Sequence, residues 1–288
     1  MLSANTNSGL RGDYSRIRDD YTVDQADQFY TDADHALWRR LHARQSALVP
    51  RYAAQEFARG LALMDCAQGV PDIAMLSRLL QSTTGWTLAA VPGFLPDEAF
   101  FKLLAARRFP VTVWLRRPEE ADYLVEPDIF HDVFGHVPML FDARYADFVQ
   151  RYGQAGLAAM RDGALSMAAR LYWYTVEFGL IESAGELRAY GSGILSSAGE
   201  TAYAIESERA RRIRLDLDRC LRTHYMIDAY QQTYFVIGSM EELVDADAGE
   251  LARRMRIARD LGTLQPDQIC DGDRIVAPRT PARVCAPA

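Results

Sequence analysis

Apolar residues along most of this chain recur at helical spacing, and the pattern predicts a mainly α-helical domain with a few short β-strands. Thr31-x-x-Asp34 reads as a capping box that opens a helix with Leu37, Leu41 and Leu48 on one stripe. A second helix is expected after Pro50, with Ala54, Phe57, Leu61 and Met64 facing inward, and a third from Pro71-Asp72 to Leu80. Trp86 to Val91 is a short apolar run closed by Pro92-Gly93, more strand or loop than helix. Pro96 suits the first turn of a helix running to Arg107, and β-branched residues from Val111 to Leu115 predict a strand. A helix starting near Pro127 must stop before Pro138, because proline disfavours a helical conformation in the residue before it. Longer helices follow over 143–160 and 165–179. Ser183-Ala184-Gly185 resembles a hairpin turn between Gly179–Glu182 and Leu187–Gly191. Tyr234 to Ile237 reads as a further strand, and Ser239-x-x-Glu242 as the cap of a last helix with Leu243, Leu251, Met255 and Ala258 inward.

The two ends break this pattern. Residues 1–28 are polar and carry Asp13, Asp19, Asp20, Asp24 and Asp27, so a flexible or loosely docked arm is expected. From Gln265 the prolines Pro266, Pro278, Pro281 and Pro287 predict a loose tail over 265–288. The span 29–264 between them shows no internal repeat and no Gly/Ser linker, and is read as a single domain.

Composition adds bounds rather than detail. A chain of 288 residues can hide roughly three quarters of its unfolded surface, enough for a deep interior site. Its net charge of −7 argues against a nucleic-acid partner. Cys66, Cys220, Cys270 and Cys285 are scattered with no C-x-x-C pair, which fits reduced thiols. The first residues lack the apolar stretch of a signal peptide, and no run reaches the ~20 residues of a membrane helix. A soluble, cytoplasmic protein is expected.

Chemistry concentrates in two places. Among only five histidines, His131 and His136 share the segment Glu126-Pro127-Asp128-Ile129-Phe130-His131-Asp132-Val133-Phe134-Gly135-His136-Val137-Pro138. Neutral imidazoles bind borderline metals, and nearby acids can fix their tautomers. Zinc proteases place histidines four apart on one helical face, with Glu as base. A separation of five is roughly 140° on an ideal helix, so both rings reach one ion only if the second sits at a frayed helix end. Unrelated histidines, or a zinc hydrolase with Asp132 as base, remain open at this point. The second place is Leu171-Tyr172-Trp173-Tyr174-Thr175-Val176-Glu177-Phe178-Gly179-Leu180-Ile181, where Glu177 is the single charge. On an ideal helix it lies one turn from Trp173 and two from Ala169, an apolar face where a lone carboxylate wants a partner such as Arg170 or a metal. Two histidines and one carboxylate make the facial triad of non-haem Fe(II) oxygenases.

These blocks, with Tyr190-Gly191-Ser192-Gly193-Ile194-Leu195-Ser196-Ser197, resemble the pterin-dependent aromatic amino acid hydroxylases, most of all the short bacterial members that act on phenylalanine. The resemblance spans about residues 30–262. It implies that His131, His136 and Glu177 hold Fe(II), and that a tetrahydropterin and O2 complete the chemistry. Phe100 would stack on the pterin in a pocket lined by Gly93, Leu95 and Ala169, with Tyr172 and Asp132 beside the iron. Arg116, supported by Asp128, would hold a substrate carboxylate. Tyr123, Trp173, Phe178, Ser196, Glu200 and Ile227 complete the implied substrate site. Ile227 falls where tyrosine-specific members place an acid, so an apolar wall for an unsubstituted phenyl ring is expected. Asp132 stands where animal members carry Glu, and Pro110 and Leu124-Val125 depart from the animal pattern. Action on tyrosine or tryptophan is the alternative within the family. A short N-terminal segment and a proline-rich end without heptads suggest a monomer.

Overall fold

The computed structural model describes residues 11–26, 30–122, 126–183 and 185–279. Helix α1 (Asp32–Ser46) begins as expected. The Thr31 hydroxyl accepts from the Asp34 amide at 3.2 Å, and the Asp34 carboxylate accepts from the Thr31 amide at 2.8 Å. The second helical stretch comes in two pieces, Val49–Tyr52 and α2 (Gln55–Met64). They part at Ala53-Ala54, where Ala54 N–H donates to the Ala189 carbonyl at 2.7 Å; a strand edge takes the hydrogen bond that a helix would have used. Helix α3 (Ile73–Thr84) is capped by Asp72 and runs past Leu80 to Gly85, whose φ of 75° ends it.

Strand β1 (Thr87–Val91), helix α4 (Asp97–Ala105) and strand β2 (Arg108–Thr112) form a crossover, with β1 and β2 parallel. The strand expected over 111–115 therefore lies three residues earlier. Beyond Thr112 the backbone has other partners: Val113 N–H still reaches Val91 O, but Trp114 O accepts from Ile129 N–H and Arg116 N–H donates to Asp128. After the segment that carries the histidines come a 3-10 turn (Val137–Phe141), the long α5 (Ala143–Arg161) and α6 (Leu165–Tyr172).

The hairpin forms as its turn signal suggested. Strands β3 (Leu180–Ser183) and β4 (Glu186–Ala189) are antiparallel with Ser183 opposite Glu186, and Gly185 takes a φ of 77°. Helix α7 (Ala198–Glu206), β5 (Arg211–Arg214), α8 (Leu217–Arg222) and β6 (Thr233–Ile237) complete a four-stranded sheet ordered β4-β3-β6-β5. The cap expected at Ser239 does not form: the one-turn Glu241–Val244 starts from Met240 with no side-chain cap. The long α9 (Ala248–Asp260) has its own N-cap in Asp247.

Both ends differ from expectation over their described residues. Val23 N–H donates to Ala90 O at 2.9 Å, and Thr22 and Val23 are buried, so residues 11–26 lie docked on the domain. At the other end Val276 N–H pairs with Arg212 O, Arg214 N–H with Arg274 O, and Arg279 N–H with Ile205 O. The tail through Arg279 thus lies along the edge of β5, where Pro266 and Pro278 do no harm because they interrupt none of these bonds.

Candidate metal centre and cleft

Both segments that carry candidate ligands are π-helical. His131–His136 is one, and Trp173–Glu177, which continues α6, is the other. In a π-turn the hydrogen bond runs from residue i to i+5, so side chains five apart come round to one face. The separation of His131 and His136 is thereby explained without a frayed end. Their Nε2 atoms lie 3.1 Å apart. Phe178 N–H donates to Trp173 O at 2.8 Å, the same i to i+5 closure. Glu177 Oε1 comes 3.2 Å from His136 Nε2, while Oε2 is 3.6 Å from His131 Nε2. Arg170 is not its partner; that guanidinium donates to Leu221 O and Thr263 Oγ1.

One nitrogen or oxygen from each of these residues lies within 4.8 Å of the other two, the one such cluster among the described residues. Donors at roughly 2.1 Å from a shared ion stand roughly 3 Å apart at right angles, which the two shorter edges match. The donor set therefore fits a divalent metal with open positions. The residues around it fix the ligands. Ser196 Oγ is 2.9 Å from His131 Nδ1, and Ser192 Oγ donates to Glu177 Oε2 at 2.8 Å. Gly191 packs so closely on Glu177 that a Cβ there would overlap the Glu177 carbonyl. The His136 Nδ1 is buried with no hydrogen-bond partner, its ring lying 4.9 Å from that of Phe109. Burial alone would raise Glu177, yet the two imidazoles hold it well below the usual carboxylate range. Burial disfavours charge on His131 too, but Glu177, with Asp132 and Asp128, raises it on balance. Asp132 is pushed up by burial, although its Oδ2 accepts from Thr112 N–H at 2.7 Å.

Beside the cluster, Asp128 is completely buried. Its Oδ2 accepts from Arg116 N and Nε at 2.8 and 2.9 Å, and its Oδ1 from Arg116 Nη2 at 2.7 Å and His131 N at 3.0 Å. One carboxylate thus ties the arginine to the start of the ligand turn. Arg116 also lies 5.3 Å over the Phe130 ring. Among the described residues nothing hydrogen-bonds to its Nη1. Trp173 packs between Phe178 at 5.3 Å and Tyr225 at 4.5 Å, the latter stacked. Glu200 is buried, accepts from the Tyr234 hydroxyl at 2.7 Å, and is pushed up to about 7, by burial first and then by the charge of Glu177.

On the other side Phe100 is half-buried and meets Tyr172 edge-on at 5.4 Å, while its neighbour Phe101 goes fully into the core. Leu95 and Ala169 are half-buried and Gly93 is buried, with a φ of 155°. Asp97, one turn before Phe100, has a buried Oδ1 without a partner, and its charge bears on Tyr152 and Tyr225. Two expectations fall away or out of reach. Ile227 is 72% exposed, so it forms no buried apolar wall: its neighbours from His224 to Tyr230 run along the surface. Tyr123, like Leu124 and Val125, lies outside the described residues. Ser192, Thr112, Asp97 and Tyr225 were missed by sequence reasoning. Ser192 alone had a signal, its place in the Tyr190–Ser197 block.

Residues 14–261 match the family described as biopterin-dependent aromatic amino acid hydroxylase. The chain is 49% identical to a phenylalanine-4-hydroxylase of Ralstonia nicotianae over 269 residues, covering 93% of this chain and 85% of the relative. It is 46% identical to the phenylalanine-4-hydroxylase of Caulobacter vibrioides, with 93% and 92% covered. Among solved structures, phenylalanine hydroxylase of Chromobacterium violaceum with bound iron(III) and oxidised 7,8-dihydrobiopterin aligns with a TM-score of 0.86 and 46% identity, covering 91% of this chain and 95% of that one.

Proposed function

The chain belongs to the biopterin-dependent aromatic amino acid hydroxylases, and from that premise we propose that it converts L-phenylalanine to L-tyrosine with O2, a tetrahydropterin and Fe(II). The observation that carries this reading is the convergence of His131, His136 and Glu177 beside an arginine with one nitrogen unused among the described residues. His131, His136 and Glu177 would hold the iron, with Ser196 and Ser192 fixing their orientation. Iron and pterin together supply the activation of O2, one atom going to the ring and the other to water. Everything else falls to the chain's own side chains.

Arg116, aligned by Asp128, presents Nη1 to the substrate carboxylate, and the half-buried Trp173, held by Phe178 and Tyr225, borders the substrate ring. Phe100 gives the pterin a half-exposed ring to stack on. The Asp97 Oδ1, unpartnered among the described residues, suits a donor on the same cofactor. Asp132, anchored by Thr112 N–H, holds its place between the two sites. Tyr172 packs against Phe100 and near the His136 ring, helping to keep water from the centre. Ser196 and Glu200 border the substrate backbone, and Gly93, Leu95 and Ala169 line the pterin pocket.

The protein is further proposed to act in the cytoplasm as a monomer; no helix among the described residues is long and apolar enough to cross a membrane. Light scattering of the purified chain tests the oligomeric state. The decisive experiment incubates apo-protein with Fe(II), tetrahydrobiopterin and phenylalanine, tyrosine or tryptophan, and identifies each product. Tyrosine from phenylalanine, dependent on both additions, is expected. Glu177→Gln should lose both iron and turnover; an iron-free variant at full rate would overturn the assignment. With Ile227 exposed, the chain's own residues argue less strongly against a phenol, so the tyrosine arm of the assay bears directly on specificity.

A further inference from the structure

The turn that joins β1 to α4 carries Gly93 and Leu95, and it has little to hold it. Among the described residues, no backbone–backbone hydrogen bond is made by residues 92–95. The one hydrogen bond they make among the described residues comes from the N-terminal arm, where the Tyr14 hydroxyl donates to Phe94 O at 3.2 Å. The same hydroxyl would be 2.8 Å from a Cβ on Gly93. Two residues earlier, Gly12 lies flat on the Pro92 peptide: a Cβ there would overlap its oxygen and come 2.6 Å from its carbon. Only glycine allows that approach.

The arm is pinned on both sides of this contact. Upstream, the Arg11 guanidinium sits 4.5 Å over the Trp114 ring and pairs with Glu120 at 2.5 Å. Downstream, Val23 N–H donates to Ala90 O at 2.9 Å, and Asp20 pairs with Arg108 at 3.2 Å. The arm therefore spans the turn as a strap fixed at each end, and Gly12 and Tyr14 press on its middle.

We propose that residues 11–24 are a strap that sets the shape of the pterin-binding turn, with Gly12 and Tyr14 as positioning residues for the cofactor. This rests on the functional reading above, in which Gly93, Leu95 and Phe100 receive the pterin. The strap acts through the turn and leaves the iron ligands and Arg116 alone. Loss of the strap should therefore weaken pterin binding and spare iron and amino acid.

The test is calorimetric titration of anaerobic Fe(II)-loaded protein with 7,8-dihydrobiopterin and, separately, with L-phenylalanine. For Gly12→Ala and Tyr14→Ala the pterin Kd should rise roughly tenfold while the phenylalanine Kd moves less than about twofold. Tyr14→Phe, which removes one hydroxyl and keeps the ring, should raise the pterin Kd about fivefold. Iron content should be unchanged in all three, and amide exchange at Val23 should quicken in Gly12→Ala. A pterin Kd unmoved in Gly12→Ala and Tyr14→Phe overturns the proposal. Equal weakening of pterin and phenylalanine overturns it too, because that marks general loosening. If Gly12→Ala fails to fold, Tyr14→Phe decides by the same criterion. A wild-type protein that binds no pterin would sink the functional reading itself, whereas one that binds pterin with variants unchanged sinks only the strap.

Discussion

Two buried arginine–aspartate pairs lie among the described residues, and their burial does not tell them apart. Arg116 and Asp128 have side chains 6% and 0% exposed; Arg219 and Asp273 have 7% and 4%. Around Arg219 every guanidinium nitrogen is engaged: Nε by Asp273, Nη1 by Thr223 Oγ1 at 2.6 Å, and Nη2 by Gln268 O at 2.7 Å. Asp273 also accepts from Cys270 N–H, so the pair is closed on itself and clamps α8 to the tail. Around Arg116, among the described residues, only Nε and Nη2 are engaged, both by Asp128. The same chemistry thus builds a structural clamp where all donors are matched, and, in the function proposed above, a substrate contact where one is left over among the described residues.

The largest expected effect is at Arg116. Arg116→Met should lower kcat/KM for phenylalanine by about a thousandfold or more, since the charged hydrogen bond to the substrate carboxylate is lost. It should also destabilise the protein by roughly 3–5 kcal/mol, because Asp128 is left buried and unpaired. The double variant Arg116→Met/Asp128→Asn should recover much of the stability and none of the kcat/KM, measured by urea unfolding and steady-state kinetics. Recovery of both would dissolve the distinction between clamp and site.

Arg219→Met should cost a similar roughly 3–5 kcal/mol in urea unfolding, while the folded enzyme keeps its KM for phenylalanine within about twofold. A large rise in KM would mean that the closed pair reaches the cleft after all.

Glu200 sharpens the comparison, as a buried acid with no cation beside it. Its folded value of about 7 stands above the ordinary 4.5, so the folded state binds the extra proton between those values. Stability from this group is full below the unfolded value and is lost as pH rises from about 4.5 through about 7, up to about 3 kcal/mol. Glu200→Gln should therefore unfold less readily than wild type at pH 8 relative to pH 5. A flat difference between the two across that range would show that Glu200 stays charged throughout. The smallest effect is expected at the exposed end of the scale. Thr31→Ala should remove the cap of α1 for about 1 kcal/mol in thermal or urea unfolding, with no change in kinetics.

Much of the site was legible as residue identity. Two histidines in an apolar segment and one charge in an apolar helix are rare enough to name the ligands, and they converge. Their geometry was less legible. Over five or six residues the apolar pattern of a π-turn cannot be told from that of an α-helix, and the i to i+5 register is selected by what packs against it. Here that is the adjacent Gly191 and Ser192 from one stretch of chain and Tyr172 from another. Ile227 failed for the opposite reason: matched by position alone, it sits on a surface segment that its neighbours do not bury.

By itself the sequence determined the local features, because each depends on atoms a few residues apart: the Thr31 capping box, the Gly185 hairpin, the helix-opening Asp72, and the identity of the three ligand residues. Only the tertiary structure decided which polar groups are matched and which are left over. The polar, aspartate-rich arm and the proline-rich tail read as loose because their partners, Pro92 and Phe94 for the one and β5 for the other, lie tens of residues away. Residue type alone does not separate Arg116 from Arg219. What separates them is whether a third partner arrives from elsewhere in the fold to meet the last nitrogen, and that is a fact of long-range packing.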